Sequence, residues 1–165
     1  MQSIIAALAA LAALSPSSER QAQGTPPGVE AAPIPGAGSW MLQTRLPTLP
    51  GRVCTVRVQG EEASTTIILN NDGKPLIILA RPDWNRTGKE TALTVSIDGG
   101  APIPREADMV ANLVLVPMFD EGAMQQLRSA RTLEWSLSLG RVRTNVTGLG
   151  GAYDALLACR SNPAG

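Results

Sequence analysis

From Ser39 onward apolar and polar positions alternate with period two, and turn-forming residues interrupt the alternation at short intervals. That pattern predicts an antiparallel β domain. Trp40 and Leu42 alternate in a first strand, and Pro47 to Gly51 turns the chain. Across Arg52 to Gln59 the alternation puts Cys54, Val56 and Val58 on one strand face, with Arg52 and Arg57 toward solvent or the strand ends. Thr65–Asn70 and Lys74–Leu79 flank Asn71-Asp72-Gly73, whose Asn and Gly tolerate the positive φ of a tight hairpin. The unbroken apolar runs Ile67–Leu69 and Leu76–Leu79 predict strands covered on both sides. Further on, Leu93, Val95 and Ile97 point inward and Thr94 and Ser96 outward, until Asp98-Gly99-Gly100 ends the strand. Met109–Val116 reads as one more apolar strand, stopped by Pro117. Leu133 to Leu139 alternates throughout, so one of its faces is wet, and Val142, Thr144 and Val146 mark the last strand.

Two short helices complete the pattern. Asp120 has the character of an N-cap for Glu121–Ser129, with Met124 and Leu127 inward. After Gly150-Gly151, the residues Leu149, Ala152, Leu156 and Cys159 fall at steps of three, four and three, which lines them along one helical face. The sum is about eight strands and two short helices, a mainly β fold whose expected form is an antiparallel β-sandwich or an open barrel.

The opening of the chain follows a different rule. Ile4 to Leu14 is rich in Ala and Leu, no Lys or Arg precedes Arg20, and Ser15-Pro16 follows directly. Such a run is too short to span a bilayer and has the length of a signal-peptide core, so residues 1–22 are expected to be a secretory signal. Residues 23–38 carry Pro26, Pro27, Pro33 and Pro35 with almost no large apolar side chain, the composition of a flexible linker. The folded domain is then expected over 39–162, with no transmembrane segment in the mature chain.

Composition narrows the function classes. Fourteen basic and fourteen acidic residues cancel, which argues against a nucleic-acid partner. There is no histidine, so Ser-His-Asp and Cys-His activation and His-ligated zinc are all excluded. Two cysteines cannot form a four-cysteine metal site, and both lie on apolar faces; in an exported chain Cys54 and Cys159 are expected to form a structural disulfide. No cofactor, metal site or catalytic residue is expected.

The carboxylate motifs have plain explanations. Asp98-Gly99-Gly100-Ala101 approaches the turn of aspartic proteases but lacks its hydroxyl residue, and only one such turn exists. Glu61-Glu62 and Asp120-Glu121 are sequence neighbours, which project in different directions. Asp72 sits in a hairpin turn without the later ligands of a calcium loop. One polar stretch stands out, Arg81 to Glu90, where Arg81, Asp83, Trp84, Asn85 and Arg86 form a candidate binding set able to stack on and hydrogen-bond a sugar or peptide. The plainer alternative has Trp84 folded back on the sheet edge and Arg81 paired locally with Asp83.

The order of an early tryptophan strand, a cysteine strand, the Val95-Ser96-Ile97-Asp98-Gly99-Gly100 turn, the Leu133–Leu139 strand and a terminal Gly148-Leu149 helix with Ala152 and Leu156 resembles the invasion-associated locus B-like exported proteins of Gram-negative bacteria. The chain departs from them in lacking their additional cysteines. The resemblance implies a bacterial periplasmic or secreted protein, β-sandwich in form, with a role in the envelope or in host interaction. The function expected is therefore non-enzymatic binding or assembly, with an envelope or host protein or a glycan as partner. A small secreted enzyme inhibitor acting through the Trp84 loop is the alternative.

Overall fold

The computed structural model of the chain describes residues 30–45, 53–117 and 121–162. Ten strands form one antiparallel sheet. The first half of the chain supplies β1 (Glu30–Pro33), β2 (Met41–Arg45), β3 (Thr55–Gln59), β4 (Ser64–Leu69) and β5 (Pro75–Ala80). The second half supplies β6 (Gly88–Ile97), β7 (Ile103–Val110), β8 (Leu113–Pro117), helix α1 (Glu121–Ser129), β9 (Thr132–Leu137), β10 (Gly140–Asn145) and helix α2 (Leu149–Ser161). The strand order is β1-β2-β3-β4-β5-β8-β7-β6-β9-β10, so β5 to β8 make a Greek key within an otherwise sequential meander.

A flat sheet of ten strands would be roughly 40 Å wide. Here Val56, Ile67 and Leu79 from one half share a single apolar cluster with Leu93, Trp135 and Val142 from the other. The sheet therefore rolls around its core without closing, since β1 and β10 each keep one free edge. Ile78, Leu113 and Leu115 form a smaller cluster on the opposite face, which is why the runs in β4 and β5 are apolar at every position.

The sandwich or barrel of about eight strands is thus corrected to one open sheet of ten. Two strands had no clean signal. β1 lies in the stretch expected to be linker; it pairs with β2, and Ile34 and Ala37 just after it are buried, so the described domain reaches back to Glu30. The apolar run from Met109 to Val116 is the end of β7 and most of β8, folded at Ala111-Asn112, where Ala111 takes the left-handed conformation that normally marks Asn or Gly. β7 carries Pro104, tolerated because β8 pairs only with Asp108–Val110 and leaves that end of β7 unpaired on one side. Arg57, expected toward solvent, is half-buried on the outer face, and the burial lowers its pKa. The expected cap Asp120, the expected turn Pro47–Gly51, Arg52 and the stretch expected to be a signal, residues 1–22, lie outside the described residues.

The turns at Asn71-Asp72-Gly73 and Asp98-Gly99 are as the sequence predicts, with positive φ at Gly73, Asp98 and Gly99. In α2 the buried residues are Leu149, Ala152, Leu156 and Cys159, the face read from their spacing. The helix packs on β2, β3 and α1. Its start admits no side chain at two positions. A Cβ on Gly148, at φ +88°, would lie 2.5 Å from the Ala37 carbonyl oxygen, and one on Gly150 would lie 2.9 Å from that of Arg128. Arg128 also pairs with Asp154 at 2.7 Å and stacks over Tyr153, joining the two helices.

The far end of α2 is tied twice. Cys159 is bonded to Cys54, beside β3, and closes a separation of 105 residues. Next to it Arg160 donates from Nη1 to the Asn70 carbonyl at 2.5 Å and from Nη2 to the Asn71 carbonyl at 3.0 Å, gripping the β4–β5 hairpin. The buried helix face and the Arg160 grip are contacts separate from the disulfide, whose stabilisation is expected to act mainly through the unfolded chain. Reduction, or paired Cys54→Ser and Cys159→Ser changes, is expected to lower unfolding free energy in urea by up to about 4 to 5 kcal/mol while leaving the far-UV circular dichroism unchanged. Equal stability with and without reductant would contradict this role.

Candidate functional site

The Arg81–Glu90 stretch is a crossing between strands that are not neighbours. It leaves β5 and must reach β6 beyond β8 and β7, three strand spacings or roughly 14 Å away. Residues 81–87 make that span, so their number follows from topology. The backbone is pinned on the way: Arg81 N–H donates to the Asn112 carbonyl at 3.1 Å and Arg86 N–H to that of Ala111 at 3.0 Å. Trp84 N–H donates to the Arg81 carbonyl at 3.2 Å, closing a turn.

This path disperses the candidate binding set. Trp84 is 5% exposed and belongs to the main core, so its ring is not presented to a partner. Arg81 Nε pairs with Asp83 Oδ1 at 2.7 Å, the local pairing of the plainer alternative. Asn85 and Arg86 are exposed, and Arg86 Nη1 donates to Ser138 Oγ at 2.7 Å. What the segment builds is a brace between the β6 start and the β9–β10 turn.

Glu90 is the centre of that brace. Its side chain is buried, two residues inside a strand that begins earlier than the sequence indicated. Oε1 accepts from Ala92 N–H at 3.0 Å, where the ladder between β6 and β7 is irregular. Oε2 accepts from Ser138 N–H at 3.1 Å and from Ser138 Oγ. Burial pushes the Glu90 pKa up, but these hydrogen bonds and the Arg86 charge outweigh it and hold the carboxyl below the usual glutamate range. Asp98 is used in the same way: its Oδ1 accepts from Arg131 N–H, Thr132 N–H and Thr132 Oγ1, which lowers its pKa. Neither carboxylate is paired with another for acid-base work, and no group of three or more His, Cys, Asp or Glu side chains comes together among the described residues.

A concave site does exist elsewhere. A cleft of about 530 Å³ lies where the rolled sheet fails to close, between the β1–β2 loop (Gly38, Ser39), the β3–β4 turn (Gly60, Glu61, Glu62) and β10 with its extension (Arg143, Asn145, Thr147). Across it Arg143 N–H donates to Glu62 Oε2 at 3.1 Å. Glu62 and Arg143 are 81 residues apart, and no local pattern announces their meeting.

The cleft therefore marks a seam in the rolled sheet. The chain shares the fold of invasion associated protein B from Bartonella henselae. The alignment has a TM-score of 0.56 at 20% identity and covers 80% of this chain and 99% of invasion associated protein B. No protein-family model and no curated protein matches the chain. The resemblance drawn from the order of elements is borne out as a likeness of fold to invasion associated protein B.

Two measurements check the assignments. Trp84→Ala is expected to lower stability by about 3 to 5 kcal/mol, as truncation of a buried aromatic does. Trp84→Phe is expected to be far milder, because the indole Nε1 is buried without a hydrogen-bond partner. A fully stable Trp84→Ala protein would put the ring back on the surface. Glu90, with a lowered folded-state pKa, contributes stability above the ordinary glutamate pKa, and that contribution is lost as pH falls through the folded value. Acid unfolding curves of Glu90→Gln should therefore lose part of the wild-type pH dependence on the acid side; superimposable slopes would contradict the hydrogen-bonded carboxylate.

Proposed function

We propose that this chain is an exported, non-enzymatic domain of the bacterial envelope that binds or assembles with another envelope or host component. The observation that carries the reading is the fold shared with invasion associated protein B over nearly the whole of that chain. The Cys54–Cys159 bond supports it, since disulfides form and persist in oxidising compartments such as the periplasm. No helix among the described residues is long and apolar enough to cross a membrane. The titratable groups also favour binding over catalysis. The sequence has no histidine, and Glu62, Glu90 and Asp98 each spend a carboxylate on backbone amides.

The inhibitor alternative needs a stiff loop that enters an enzyme cleft. Trp84, its proposed anchor, faces the core, and the exposed part of the crossing offers Asn85 and Arg86. The reading favoured is therefore assembly through a surface, with the seam cleft as its concave feature.

Cell fractionation with non-reducing electrophoresis tests location: the oxidised protein is expected in the periplasmic or secreted fraction. Pull-down from an envelope extract tests the role. Retention of the same envelope component by oxidised protein across preparations supports assembly, and stoichiometric retention of one enzyme, inhibited when bound, would favour the alternative. Cytoplasmic recovery of reduced protein would defeat the proposal.

A further inference from the structure

The two ends of the sheet are finished differently. β1 is four residues long, carries Pro33 and shows a register irregularity at Glu30-Ala31, all features that blunt an edge. β10 is six residues long, has no proline and pairs with β9 in unbroken register from Gly140 to Asn145. Its other edge faces the seam cleft. Because Arg143 N–H reaches Glu62 and so points away from β9, the backbone groups of Arg141 and Asn145 face the same side by the alternation of an antiparallel strand. The only described partner on that edge is the Glu62 carboxylate, which occupies one amide as the carbonyl of a further strand would.

We infer that the β10 edge receives an extended polypeptide segment of a partner protein, added as an eleventh strand along the seam, with acidic side chains facing Arg141 and Arg143. The inference rests on the binding role proposed above and names the partner's chemistry. Arg141 and Arg143 are exposed, and neither guanidinium has an ion pair or hydrogen bond among the described residues. In β-augmentation the main-chain bonds supply affinity and alternate side chains supply selectivity. Here the selecting side chains are the two arginines. They also disfavour a second copy of this chain as occupant, because pairing two β10 edges in the register that sets Arg141 opposite Arg143 places like charges against each other. Glu62 is then a plug that an incoming strand displaces.

The probe is an eight-residue fluorescein-labelled peptide of alternating Glu and Val, followed by fluorescence anisotropy against the oxidised protein. Saturable binding that weakens with salt is expected, and the Lys-Val counterpart should not bind. Arg143→Pro deletes the edge amide without touching the β9 ladder and should weaken binding by about tenfold or more. Arg143→Ala keeps the amide and should lose less. Glu62→Ala should tighten binding and Glu61→Ala should not, although both remove one negative charge from the cleft. If Arg143→Pro fails to fold, a probe N-methylated at alternate residues decides the matter on the wild-type protein, since it cannot form the ladder. No saturable binding, equal binding of the Lys-Val or N-methylated probe, or equal effects of Glu61→Ala and Glu62→Ala would overturn the inference. A peptide that fails while the envelope pull-down succeeds sinks the edge site alone; failure of the pull-down sinks the binding role itself.

Discussion

Everything in this molecule depends on how α2 is seated. A single sheet of ten strands has no second layer to bury its apolar face, so it must roll, and a rolled sheet needs something to hold its halves at a fixed distance. α2 follows β10 directly yet packs on β2 and β3, near the other end of the strand order. Gly148 lets its first turn approach the Ala37 backbone to a distance no Cβ would allow, and Gly150 does the same against α1. Its last turn is bonded to Cys54 and grips the carbonyls of the β4–β5 hairpin. The helix thus ties the β10 end of the chain to β2 and β3.

The chain's polar chemistry is spent mainly on its own backbone. Asp98 takes the amides at the start of β9, Glu90 those of Ala92 and the β9–β10 turn, and Glu62 the exposed edge of β10. Each carboxylate sits where a strand irregularity, a turn or an edge leaves an amide without a ladder partner, and a charge-assisted hydrogen bond replaces the missing one. That usage accounts for the lowered pKa of Glu90 and Asp98. It also separates two kinds of polar residue. Arg81, Asp83 and Arg86 are engaged within the fold, whereas the guanidinium groups of Arg141 and Arg143 are not.

The likeness to invasion associated protein B is one of fold, and the seam cleft is built from this chain's own residues. The seam exists because β1 and β10 do not pair. An open roll leaves two sheet edges unpaired, which a closed barrel would not.

Local periodicity was enough to determine much of this. The buried face of α2, the inward residues of β6, β9 and β10, the two glycine turns and the Cys54–Cys159 pairing are all legible because each depends on near neighbours or on the absence of any other thiol. Tertiary structure decided the rest. β1 and β7 are strands because a neighbour offers a ladder to segments that contain Pro33 and Pro104 and have weak propensity of their own. Ala111 turns because Val110 and Leu113 pair, against its local preference. Trp84 is core because the crossing between β5 and β6 carries it across the end of the sheet. The meeting of Glu62 with Arg143 joins residues 81 positions apart, and no sequence pattern encodes a contact that exists only once the sheet has rolled.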